Sequence, residues 1–123
     1  MKKSLLTWVV ACIVIMVAIP VMADKSSVEV DAPDSAKKGD VITIVVKVIH
    51  DGNNFLHHTD WVYVRVNGEQ IAKWEYSWND LPENEIFVRE VTYPVNGPVN
   101  IEVKANCNLH GSKGAVTKTV KVE

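Results

Sequence analysis

Trp61-Val62-Tyr63-Val64-Arg65-Val66-Asn67-Gly68-Glu69-Gln70-Ile71-Ala72-Lys73-Trp74-Glu75-Tyr76 reads as two strands folded back on a two-residue turn. Apolar and β-branched residues alternate with polar ones on both arms, the period of a half-buried strand. Asn67 and Gly68 both tolerate positive φ, as the type I′ turn of a tight hairpin requires. The same period extends outward in both directions. It predicts strands over Ser27–Asp31, Val41–Ile49, Trp61–Val66, Glu69–Tyr76, Ile86–Thr92, Val99–Ala105 and Ala115–Val122. Asp80 to Glu85, with Pro82, reads as a longer loop, and Asn96-Gly97-Pro98 as a further break. No run has helical period beyond a turn, and there is no internal repeat or low-complexity tract. Seven short strands with turn chemistry at this spacing predict an all-β fold, an immunoglobulin-like antiparallel sandwich forming one domain over residues 24–123.

The first residues set the expected compartment. Lys2 and Lys3 precede an apolar run from Leu5 to Ile19, Pro20 interrupts it, and Val21-Met22-Ala23 offers a small-residue cleavage point before Asp24. Residues 1–23 therefore read as a secretory signal peptide, and the protein is expected in the periplasm or outside the cell. Two other readings of this segment are an uncleaved anchor and a lipoprotein signal acylated at Cys12. Cleavage after Ala23 removes two lysines and leaves 11 basic against 15 acidic side chains, a net charge of −4 that argues against nucleic acid as a partner. It also removes Cys12, so Cys107 has no intrachain partner and no disulfide framework exists. A buried, inert thiol is one account of Cys107; a metal-bound thiolate is the other.

The four histidines favour the second account. With the strands taken in order, His50, His57 and His58 lie in the second connection and Cys107 and His110 in the sixth, loops that cluster at one end of such sandwiches. A thiolate three residues from an imidazole, with further imidazoles from a distant loop, reads as a metal centre. Neighbouring side chains on a strand point to opposite faces, so one of His57 and His58 is expected as ligand and the other not. The first strand begins at the same end if it pairs antiparallel with the second, which is expected to let Asp24, Glu29 or Asp31 approach as well.

Cys107-Asn108-Leu109-His110-Gly111 resembles the C-N-x-H-G motif of superoxide reductases, the neelaredoxin and desulfoferrodoxin iron domains. His57-His58-Thr59-Asp60-Trp61-Val62 resembles their H-H-x-x-W-[IV] segment, and His50 sits where an upstream histidine ligand belongs. The resemblance runs from about Val28 to Glu123. It implies an immunoglobulin-like sandwich holding a mononuclear non-haem iron, Fe2+ or Fe3+, with Cys107 axial, His50, His57 and His110 equatorial, and one position open to superoxide. The implied reaction is one-electron reduction of superoxide to hydrogen peroxide. The family's E-K-H-x-P segment aligns here with Glu29-Val30-Asp31-Ala32-Pro33, which keeps the glutamate and proline but lacks the lysine and histidine. On that alignment Glu29 carries the catalytic carboxylate, and Asp31 or water takes the place of the fourth imidazole. Lys113 is the nearest substitute for the missing lysine.

Two other classes fit part of the pattern. One cysteine and two histidines on a sandwich also describe a blue-copper electron-transfer site, although no methionine follows Ala23 to serve as axial ligand. A non-catalytic module with a partial iron site is the third. A reductase of this kind needs a separate electron donor, since the chain carries no rubredoxin-like cysteine module. Trp74, Tyr76 and Trp78 alternate along one strand and would form either a core-facing row or an exposed face for a partner.

Overall fold

The computed structural model describes residues 25–123, in which the alternating runs form eight strands. These are β1 (Ser27–Asp31), β2 (Ser35–Ala36), β3 (Val41–Ile49), β4 (Thr59–Val66), β5 (Glu69–Glu75), β6 (Ile86–Pro94), β7 (Val99–Cys107) and β8 (Val116–Val122). The expected leader over residues 1–23, with Cys12 and Asp24, lies outside the described residues. One sheet has the order β1-β3-β6 and the other β2-β8-β7-β4-β5. Every pairing is antiparallel except that of β2 with β8. This is the expected sandwich, with one addition. Ser35–Ala36 falls in a stretch with no strand period, yet pairs with Lys121–Val122 and covers part of that sheet edge.

The inner faces follow the pleat. On β3, Ile42, Ile44, Val46 and Val48 point inward, and on β7, Val99, Ile101, Val103 and Ala105 do the same. They close a core with Val62, Val64 and Val66 of β4, Phe87 of β6 and Val120 of β8. At the hairpin, Asn67 and Gly68 adopt φ of 51° and 83°, the positive pair that the turn needs. Trp74 and Tyr76 pack partly against the core, whereas Trp78 is 67% exposed, so the aromatic row divides between the two expected roles.

Two strands run further than the sequence period indicates. β7 continues to Cys107, and β4 begins at Thr59 because a bulge at Asp60 lets Thr59 pair with Cys107 while Trp61 pairs with Asn106. A bulge shifts the alternation by one residue. Thr59 therefore joins Val62, Val64 and Val66 on the inside, fully buried, and its hydroxyl lies 2.8 Å from that of Ser26. Asn106 Nδ2 holds the bulge by donating to Asp60 Oδ1 at 2.9 Å.

Ile44→Ala opens a cavity between the sheets and is expected to lower stability by about 2–5 kcal/mol in denaturant unfolding. Val88→Ala, on the outer face of β6 where Val88 is 48% exposed, should change it by less than about 0.5 kcal/mol.

Candidate metal centre

The inward rows of β3 and β7 do not stop with the aliphatic residues. One pleat beyond Val48 the next inward position is His50, and one pleat beyond Ala105 it is Cys107; each is only 1% exposed. β3 and β7 both end at the same pole, where β4 and β6 begin, because Ile49 pairs with Ile86 and Cys107 with Thr59. The same alternation that fills the core thus delivers an imidazole and a thiol to its open end.

The remaining rings come from the two loops. His57 Nε2 lies 3.2 Å from His50 Nε2 and 2.9 Å from His110 Nδ1, and the Cys107 sulfur lies 3.9 Å from His110 Nδ1. The His57 ring meets its neighbours edge to face, at 4.5 Å from His50 and 4.7 Å from His110. One nitrogen each from His50 and His57 and the Cys107 sulfur all lie within 4.8 Å of one another. Two ring nitrogens and a sulfur around one small volume, with the His110 ring beside them, are a donor set suited to a transition metal, soft on the sulfur side and borderline on the nitrogen side. His50 and Cys107 are buried, His57 is half-buried and His110 is exposed, so the set opens to solvent on the His110 side.

Local hydrogen bonds explain how each loop presents its ligand. In the β7–β8 connection, Cys107 N donates to Gly111 O and Gly111 N returns the bond to Cys107 O, closing a loop of three residues. The closure needs Gly111 at φ 82°, a region where a Cβ is strained. It also sets His110 N 3.4 Å from the sulfur as a donor to it. In the β3–β4 connection, Asn54 Oδ1 accepts from Leu56 N and His57 N, the side-chain-capped turn that asparagine favours.

Asn53 carries a role the sequence reading missed. Its Oδ1 accepts the Thr59 N–H at 2.9 Å and its Nδ2 donates to Asn84 O at 2.9 Å, which fixes which amide atom is oxygen. The same oxygen lies 2.7 Å from His50 Nδ1. That ring nitrogen must therefore be the protonated one, and Nε2 turns its lone pair toward His57. Asn108 knits the two loops together: its Oδ1 accepts from His58 N and its Nδ2 donates to Leu56 O. The Asn-Asn pair after His50 is the one sequence signal that could have drawn attention to this support.

Two predicted site residues are not brought to the cluster. β1 runs antiparallel to β3 with Ser27 opposite Ile49, so Asp31 falls opposite Val45, five residues before His50 and roughly 17 Å back along the strand. Glu29 is opposite Lys47, is exposed, and pairs with that lysine at 3.8 Å on the outer face. The residue that does reach the pole from this segment is Ser26, fully buried, with its N–H on Gly111 O and its carbonyl accepting from Lys113 N. His58 turns away, as expected for one of the adjacent pair: its Nδ1 lies 3.0 Å from the Asn54 carbonyl.

The sequence pattern of the desulfoferrodoxin family matches residues 21–113. No curated protein matches the chain. Among solved structures, a variant of the superoxide reductase (neelaredoxin) from Ignicoccus hospitalis is similar over 82% of this chain and 83% of its own, with 20% identity and a TM-score of 0.67. Another structure of that protein gives 19% identity, 81% and 83% coverage and a TM-score of 0.61. The CARDB domain of a Pyrococcus furiosus protein, solved in complex with di-metal ions, gives 20% identity, 81% and 90% coverage and a TM-score of 0.62. At these identities the structural likenesses show a shared fold.

Removing the amide that orients His50, as in Asn53→Leu, should weaken metal binding about 10–100-fold in a chelator competition titration. Asp31→Ala should leave metal content per chain unchanged by elemental analysis.

Proposed function

Because the chain belongs to the desulfoferrodoxin family, we propose that it is an exported mononuclear iron protein that reduces superoxide, with His50, His57, His110 and Cys107 as the ligands. The observation that carries this reading is the convergence of the Cys107 sulfur with His50 and His57 at an open pole, with His110 Nδ1 beside His57 and the sulfur. The set fits iron: a thiolate raises electron density at the metal and imidazoles suit both oxidation states. Iron so held supplies the one-electron step by which superoxide, with two protons, leaves as hydrogen peroxide.

The chain's own residues divide the remaining work. Cys107 lies on the core side, shielded from oxidants in the medium, and the His110 N–H bonded to its sulfur tempers its donation. Asn53 holds His50 in the tautomer that can ligate. The His110 side gives a small anion its way in. Lys113, exposed in the loop after His110 and bonded through its N–H to the Ser26 carbonyl, is the candidate for local positive charge in a chain of net negative charge. In this reading it takes the place of the lysine missing from the family's E-K-H segment. The set has three imidazoles where the family pattern has four, and water would fill the remaining position on a bound ion.

The blue-copper reading is weaker on two counts. Such sites use two histidines, one cysteine and a weak axial ligand, whereas a third imidazole here lies within hydrogen-bonding distance of His57, and no methionine occurs among the described residues. Export and cleavage after Ala23 rest on the apolar leader with its small-residue boundary.

Protein purified without added metal should carry about one iron per chain, and stopped-flow decay of superoxide should accelerate with its concentration. Cys107→Ser should abolish that acceleration while keeping the β-sheet circular dichroism, because serine is close in size to cysteine and the position is the last of β7, at the end of the core rather than in its middle. Copper in place of iron would sink the iron reading, and bound iron without superoxide decay would leave an iron-binding module.

A further inference from the structure

Exposed large apolar side chains are not spread evenly over the described residues. Phe55 and Leu56 in the β3–β4 connection, Trp78 in the β5–β6 connection, Ile86 at the start of β6 and Leu109 in the β7–β8 connection are between 52% and 67% exposed. All five lie at the metal pole, where β3 and β7 end and β4 and β6 begin. β5 ends there too, since Glu75 pairs with Trp61 and Tyr76 N donates to Asp60 O. The opposite end, which holds the Asn67-Gly68 turn, shows Val41 alone among the described residues.

The loops that carry this apolar rim are fastened to one another. Leu56 N donates to Asn54 Oδ1, Leu56 O accepts from Asn108 Nδ2, and Asn53 Nδ2 donates to Asn84 O, which ties the three connections into one collar. With those backbone groups already paired, the collar can meet an apolar phase without stripping water from them. A contiguous apolar rim of this kind marks an interaction surface.

The course of the chain points to what covers it. β1 is entered at this pole: Ser26 N donates to Gly111 O, and Ser26 O accepts from Lys113 N. Only three residues separate Ser26 from Ala23, the end of the expected leader with its apolar run from Leu5 to Ile19. Three residues reach at most about 11 Å. While that run occupies the export membrane, the metal pole is the part of the domain delivered to the bilayer surface. Charges at the pole are mixed. Lys25 and Lys113 are exposed, and so are Asp51, Asp80, Glu83 and Glu85, with Glu83 held by Arg89 at 2.8 Å. The pole therefore offers apolar contact more than attraction to anionic headgroups.

We propose that the metal pole docks on a phospholipid bilayer surface, with Phe55, Leu56, Trp78 and Leu109 entering the boundary between headgroups and acyl chains. An indole suits that boundary, being apolar in body and polar at one nitrogen. Once the leader is removed, this rim alone holds the protein there. The proposal takes from the export reading only which membrane is met, and it needs neither iron nor superoxide. Under the superoxide reading, exposed His110, next to Leu109, opens into the interfacial layer.

The test uses protein recovered after export, its leader status read by intact mass, with vesicles of phosphatidylcholine or of equimolar phosphatidylcholine and phosphatidylglycerol. Cosedimentation gives the affinity. Amide hydrogen exchange gives the docked face, whether the leader is cleaved or kept. We expect affinities for the two vesicle types within threefold of each other and little change with salt. Exchange should slow at residues 53–58, 76–80 and 108–112, and stay unaltered at residues 32–40 and 94–98. Phe55→Ser/Leu56→Ser/Leu109→Ser should weaken leaderless binding at least tenfold, whereas Val41→Ser should stay within twofold of the parent. In a leader-bearing sample the triple variant should stay bound but lose the slowed exchange. Should the triple variant not fold, Phe55→Ser/Trp78→Ser supplies the same comparison. The proposal is overturned if vesicles leave exchange at the pole unaltered, if binding requires phosphatidylglycerol, or if Val41→Ser costs as much as the triple variant. It is equally overturned if the parent is a dimer in lipid-free buffer and the triple variant a monomer, since a second copy then covers the rim. Iron content and superoxide decay, measured without vesicles, report on the metal centre separately.

Discussion

Strand pleat is the constraint on which the centre depends. Alternation on β3 and β7 is enforced by the cost of turning valine and isoleucine outward, and each inward row is fully buried. Because His50 and Cys107 continue those rows, their direction is set by the hydrophobic core. A slip of one residue in either strand would reverse its whole row as well as its ligand. The core's stability is thereby lent to two positions that would be costly to bury alone.

Asparagine side chains do the rest of the positioning. Asn53, Asn54 and Asn108 each satisfy backbone groups that the loops leave unpaired, and in doing so hold a histidine or fasten one loop to the other. An amide suits this because it donates and accepts at once without carrying charge into a partly buried place. The bulge at Asp60 serves the same end by turning Thr59 inward beneath Cys107. The donor set is therefore held by rigid strands below and by a closed hydrogen-bonded collar above, the arrangement that keeps ligand geometry defined.

The molecule is also polarised. Exposed His110 marks the solvent side of the donor set, and the buried Cys107 sulfur marks its inner side.

The fold was legible in the sequence because a period of two and the Asn67-Gly68 turn are local signals, and seven of the eight strands carry them. Ser35–Ala36 carries none; it is a strand only because the edge of β8 offers it partners. For the centre, His50, His57, Cys107 and His110 could be grouped from the sequence, since loop order on a sandwich fixes which connections share an end. Asp31 and Glu29 could not be placed without register, because one end of β1 reaches the pole and the other lies several residues away along β3. Nor could Asn53, whose role exists only where a hydrogen-bonded loop returns it to His50. Composition and pattern thus determined the sheets and the candidate donors. Tertiary structure alone decided which of them meet, since proximity across a sandwich is set by strand register and loop closure.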